Sequence, residues 1–169
     1  ERPALDVLME IFHSLQPYEQ ELVRTALHIG IATTEFKTSL GQGDFLIRHV
    51  INIDQKRGAI GIDESIRTGQ TVQFHLRHAD AATEDLELML SKYQSNPPAT
   101  NPTGALLFTC TGRGAYMFGE PNHDSNALSK RIGNLPIGGF FCAGEIGQVG
   151  GSTYMHGYTS SFGIFRPER

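Results

Sequence analysis

The sequence predicts an α+β fold, with largely antiparallel β-sheet of about seven strands packed with three to four helices in a single domain. Three observations predict it. Apolar residues near the start recur at helical spacing, the middle alternates with a period of two, and a run of strands follows that no helix separates. The chain has 169 residues, about one domain's worth at roughly 150 residues per domain. A core of that size needs no metal or disulfide staple. The pattern fits one sheet or two equally well.

Taken in order, Leu5, Leu8, Met9, Phe12 and Leu15 mark an amphipathic helix over residues 4–15. Pro17 suits the first turn of a second helix running through Leu22 and Val23. Leu27 to Ala32 is short, branched and apolar, and reads as a strand. From Phe45 the chain alternates, with Phe45, Ile47, His49, Ile51 and Ile53 on one face and Leu46, Arg48, Val50 and Asn52 on the other. Asp54 to Gly58 forms a turn, and Ala59 to Ile62 returns. Thr71 to Arg77 alternates again, with Val72, Phe74 and Leu76 expected inward. Asp80 is placed to cap a helix with a stripe of Ala82, Leu86, Met89, Leu90 and Tyr93, which must stop before Pro97-Pro98. Ser95 to Pro102 has the composition of an exposed loop within one domain.

The second half has a different character. Ala105 to Cys110 reads as a central strand covered on both faces, ending in Thr111-Gly112-Arg113-Gly114. Asn122 or Asp124 can cap a short helix through Leu128 and Ile132, stopped at Gly133. Ile137 to Ile146 reads as one buried strand. Tyr154 to Phe165 reads as the last, with His156, Tyr158, Ser160, Phe162 and Ile164 on one face.

Charge and composition remove whole classes. Fourteen Lys+Arg against 18 Asp+Glu leave a net charge of −4, which gives no bulk attraction to phosphate backbones or anionic membranes. No apolar run approaches the ~20 residues that span a bilayer. The opening Glu1-Arg2-Pro3 shows no apolar leader and reads as a cut from a longer protein. Cys110 and Cys142 lie inside apolar runs and read as buried free thiols, with a disulfide the alternative, so the cytoplasm is the expected location. There is no Cys-x-x-Cys, no His-Glu-x-x-His and no phosphate-binding glycine motif, so neither a metal nor a cofactor is expected.

Three clusters can carry chemistry. In Gly112-Arg113-Gly114 a buried strand opens into a glycine-flanked guanidinium, suited to an anion such as a carboxylate. The alternative is an arginine pinning its loop to a neighbouring acid. Glu145, beside Gly144, follows a buried strand and can accept from an ammonium group or pair with Arg113. His156, with Tyr158, opens the last strand and can donate to a ligand or be satisfied by the backbone. Cys142 with His156 is the pair a thiol-dependent hydrolase would need, although both thiols lie mid-strand.

The segments Gly104 to Gly114, Gly139 to Gly147 and His156-Gly157-Tyr158-Thr159, together with the opening Pro3 to Leu8, resemble the FIST C-terminal domain. The resemblance spans essentially the whole chain, 1–169, and departs from the family pattern at Gln148, where proline is expected. It implies an intracellular signal-transduction module that senses a small ligand, with amino acids a candidate class. It also implies a companion N-terminal FIST domain or a signalling output module as partner. The expected function is therefore a non-catalytic sensor for a small polar ligand. Arg113 would hold a carboxylate, Glu145 an ammonium group, and His156 and Tyr158 the rim, with Gly112, Gly114 and Gly144 shaping the loops. A protein-interaction or assembly domain without a small ligand is the alternative, and a thiol-dependent hydrolase the third reading.

Overall fold

The computed structural model describes residues 2–96 and 100–168. Pro97 and Pro98, expected to stop the third helix, lie outside the described residues. The fold is α+β. Contacts gather into two compact units, one taking in the chain up to His78 together with Val149–Ser152, the other Ala79–Gln148 and the chain from Thr153 onward.

In the first unit, α1 (Ala4–Ser14) and α2 (Pro17–Ala26) precede β1 (Leu27–Ala32), β2 (Phe45–Asp54), β3 (Ala59–Ile62) and β4 (Val72–Leu76). Pro17 opens α2 as expected, and Glu19 accepts from the Gln16 N–H at 2.9 Å to close that helix start. The four strands form one antiparallel sheet in the order β3-β2-β1-β4. As an inner strand, β1 is buried along nearly its whole length. The alternation of β2 holds only as far as Val50, where a bulge before Asn52 shifts the register and breaks the two faces expected for the whole strand. Phe45, Leu46 and Arg48 are buried, while Ile47, Ile51 and Ile53 are exposed. Arg48 is buried there and pairs with Glu64 at 2.8 Å. Val72, expected inward, is also exposed.

Register sets His49, His28 and His75 side by side across β2, β1 and β4, on one face. Gly30 makes room for the row, because a Cβ there would lie 2.4 Å from His75 Nε2. That nitrogen is buried and has no hydrogen-bond partner among the described residues. Burial is the main cause that lowers the affinity of both His28 and His75 for protons. Each also feels a neighbouring histidine; Arg77 adds to the effect at His28, while Asp63 and the Ala26 carbonyl oppose it. With folded values below the ordinary 6.5, the unfolded chain takes up protons first as pH falls. This contribution to stability is complete above the ordinary value and declines below it. The melting temperature is therefore expected to fall between about pH 7.5 and 5.5, and to fall less in a His75→Leu variant. Thermal melts by circular dichroism check this, and equal slopes in the two proteins would refute it.

The second unit holds α3 (Ala79–Ser95), β5 (Gly104–Cys110), a 3₁₀ turn (Thr111–Arg113), α4 (Ala115–Phe118), α5 (His123–Ile132), β6 (Ile137–Cys142) and β9 (Ser160–Phe165). Between β6 and β9, β7 (Glu145–Val149) and β8 (Ser152–His156) pair as a two-stranded ribbon. Asp80 lies inside the first turn of α3 rather than capping it, and Met89 is exposed beside the buried Leu86 and Leu90.

The core of this unit is Leu86, Leu90, Ala105 and Leu128, with Ile137, Phe162 and Ile164 packed on it. Here α3 and α5 cover one face of the sheet β6-β5-β9. The other face leaves Leu106 and Phe140 exposed, so β5 is not covered on both sides as expected. Among the described residues there are nine strands and five α-helices where about seven and three to four were expected. Both long segments break. Ile137 to Ile146 bends at Ala143-Gly144, and Tyr154 to Phe165 is interrupted at Gly157-Tyr158, where Tyr158 takes a positive φ of 59°. One pairing is parallel, β5 with β6, because α5 carries the chain back between them. Among the described residues no helix is long and apolar enough to cross a membrane.

Candidate functional site

Where β5 ends, the chain must turn at once, and Gly112 permits it. The Tyr158 ring occupies the place of a side chain there, its Cε1 2.2 Å from where a Cβ would stand. The turn delivers Arg113 inward, with 7% of its surface exposed. Its Nε and Nη2 donate to the two carboxylate oxygens of Asp124 at 2.9 and 2.8 Å, and Nη1 donates to the Tyr158 carbonyl at 3.4 Å. The Phe118 ring lies 5.1 Å from the guanidinium carbon. Of the two readings for Arg113, the acid it meets is Asp124, at the start of α5, and not Glu145.

Asp124 is the hub. Besides Arg113 it accepts from the Ser160 hydroxyl and from His123 Nδ1 at 2.8 Å. Burial works to raise its carboxyl, but the bonds and charge of Arg113 with the bonds from Ser160 and His123 outweigh it, and the group is held below its ordinary value of 3.8. His123 stacks flat on Phe118, with ring centres 3.6 Å apart, and its Nε2 meets the Thr83 hydroxyl at 3.0 Å. Thr83, His123 and Asp124 thus line up as a hydroxyl, an imidazole and a carboxylate. The hydroxyl, however, donates back to the Ala79 carbonyl at 2.9 Å and does not line the cleft, so the line holds α3 to α5.

Beside this network opens a cleft of about 580 Å³, lined by Arg113, His123, Asp124 and Gly114, by Glu120, and by every residue of β6 from Ile137 to Phe141. Of the residues singled out from sequence, Arg113 and Gly114 line it. Glu145, only 2% exposed, accepts from Thr159 N–H and hydroxyl at 3.2 and 3.0 Å and from the Cys142 thiol at 3.2 Å. His156 meets the Gly147 carbonyl at 3.1 Å, the backbone-satisfied reading. A Cβ at Gly144 would lie 3.3 Å from the Met155 sulfur. Glu145, His156, Tyr158 and Gly144 therefore surround the turn at 157–159 rather than the cleft, and that turn reaches Arg113 through the Tyr158 carbonyl.

Three members of the network escaped the sequence reading as site residues: His123, Asp124 and Ser160. Asp124 stood out only as a helix cap, because eleven residues separate it from Arg113 and spacing says nothing of a contact made through a turn. The cysteines are free, and they stand in register on β5 and β6. Burial first, and then the bond to Glu145, push the Cys142 thiol above its ordinary range, which disfavours the thiolate a nucleophile needs. No group of three His, Cys, Asp or Glu among the described residues is placed to hold a metal ion.

Comparison with known proteins follows the same motifs. The FIST C domain family matches residues 4–148. An uncharacterized protein of Mycobacterium tuberculosis is 47% identical over 97% of this chain and 43% of its own length. An uncharacterized protein of Mycobacterium bovis is 43% identical over 97% of this chain and 42% of its own. An F-box/LRR-repeat protein of Arabidopsis thaliana is 33% identical over 61% of this chain and 20% of its own. The chain thus spans less than half the length of these relatives. With a match that runs from α1 through β7 and takes in both glycine-flanked turns, the chain belongs to the FIST C domain family, whose domains are associated with signal transduction.

Proposed function

We propose that the chain acts as one non-catalytic sensory domain, 1–169, that admits a small polar ligand to the cleft beside Arg113. The supporting observation is the lining itself: a buried, mutually neutralised Arg113–Asp124 pair and His123 beside the apolar wall of β6. Such a pocket combines apolar contact with a few fixed polar groups. Arg113, Gly114, His123 and Asp124 are the contact residues of this reading. Gly112, Gly144, Glu145, His156 and Tyr158 hold the turn that positions Arg113. A ligand would signal by favouring one arrangement of these glycine-rich turns. The receiver is then a companion N-terminal FIST domain or an output module in the cytoplasm, consistent with relatives more than twice the length of this chain.

Differential scanning fluorimetry against free amino acids and small carboxylates tests this. Gly114→Leu is the blocking variant, because the backbone there is extended and a Cβ would meet nothing nearer than Phe141 at 4.0 Å. At least one compound is expected to raise the melting temperature of the parent chain and to lose that effect in Gly114→Leu, whose own melting temperature stays unchanged. A panel without a hit, or a shift that survives the substitution, overturns the reading.

A further inference from the structure

The cleft runs along a strand that has a neighbour on one side only. In the order β6-β5-β9, β6 is an edge, and no other described strand pairs with it. The four inner residues of its six, Gly138-Gly139-Phe140-Phe141, are all exposed, on both faces of the strand, including two phenylalanines at 64% and 61%. Edge strands ordinarily carry a charge, a proline or a covering loop against unwanted pairing. This one carries no charge and no proline between Ile137 and Cys142. Glycine inside a strand marks a place where another backbone approaches closely. Gly139 already meets its neighbour that way, since a Cβ there would lie 1.9 Å from the Leu107 carbonyl oxygen. Gly138 leaves the same freedom beside it.

Resting on the cleft reading above, we infer that its ligand is a short extended peptide that adds to β6 as a further strand. Main-chain groups of the peptide pair with the outward N–H and C=O groups of β6, and alternate side chains enter the cleft against Ile137 and Phe141. Charge selects among peptides. Arg113 and Asp124 neutralise each other, whereas Glu120 lines the cleft exposed, so a lysine or arginine at a cleft-facing position is favoured. Affinity comes from the main chain, and preference from apolar and basic side chains.

The test uses the 169-residue chain and three probes: the capped tetrapeptide acetyl-Val-Lys-Val-Lys-amide, the same peptide N-methylated at alternate amides, and free valine with lysine. Titration calorimetry is expected to show binding of the first probe and at least about tenfold weaker binding of the second, the loss of roughly one to two hydrogen bonds. Glu120→Gln is expected to weaken the first by about threefold. Hydrogen exchange followed by mass spectrometry should show the 137–142 segment slowed by the first probe alone. Equal binding of the methylated peptide overturns the inference. So does a concentration-dependent dimer that already protects this segment, since a second copy then holds the edge. If free amino acids shift the melting temperature in the Gly114→Leu-sensitive manner while no peptide binds, the sensory reading stands and this inference alone falls.

Discussion

Replacing Asp124 with asparagine is expected to cost about 3–5 kcal/mol, a large part of the ~5–15 kcal/mol that holds a domain of this kind together. The substitution keeps the shape of the side chain and removes its charge. Arg113, 7% exposed, is then left as a buried cation facing a neutral amide. Because Ser160 and His123 bond different carboxylate oxygens, one of them meets an NH2 group in place of its acceptor. A cation stranded in this way is costlier than a missing pair. The double variant Arg113→Met with Asp124→Leu is accordingly expected to be more stable than Asp124→Asn alone.

The pH dependence carries a second signature of the same group. Because its folded value lies below the ordinary 3.8, the carboxylate's contribution is complete above that value and is lost as pH falls through the folded one. Glu35 and Glu64 are held low as well, so the asparagine variant should lose less stability than the parent chain over this acid range, not none. Urea unfolding at neutral and acid pH measures both effects. A loss below about 1 kcal/mol, the range of an exposed ion pair, would mean the pair is solvated.

The elements of the chain were legible wherever local chemistry decides them. Pro17 fixes a helix start, the strand Leu27–Ala32 is bounded as its composition indicates, and Gly133, with φ 104°, ends α5. Legibility stopped where a long-range contact decides. Spacing puts the isoleucines of β2 on one face, yet period two cannot foresee the bulge between Val50 and Asn52 that shifts the register. Nor can it say which face is covered, and Leu46 and Arg48 are buried where Ile47 is exposed. The break at Tyr158 depends on Glu145 accepting from Thr159 N–H, a contact fourteen residues distant. The site behaved alike. The glycine-flanked Arg113 was visible as a guanidinium suited either to an anion or to pinning its loop to an acid, but that it is buried against Asp124 and not Glu145 belongs to the packing of α5 on the sheet.

Glu145→Ala is the complementary experiment, because it removes an acid that meets no cation in its hydrogen bonds. Both of its oxygens are occupied, one by Thr159 and the other by the Cys142 thiol. Truncation strands the Thr159 N–H and hydroxyl at a turn where Tyr158 already holds a left-handed backbone, and a loss of about 3 kcal/mol is expected. The Cys142 thiol responds in the opposite sense. Burial first and Glu145 second raise its proton affinity, so removing the carboxylate lowers that affinity and opens space beside the sulfur. Alkylation of the native protein by iodoacetamide should therefore be slow in the parent chain and faster at Cys142 in the variant, while Cys110, buried on the next strand, changes less. A nucleophilic cysteine would give the reverse: rapid labelling in the parent, lost once its carboxylate partner is removed. Labelling rate and melting temperature together thus separate an acid that secures a turn from one that activates a thiol, since only the first loses stability while gaining reactivity.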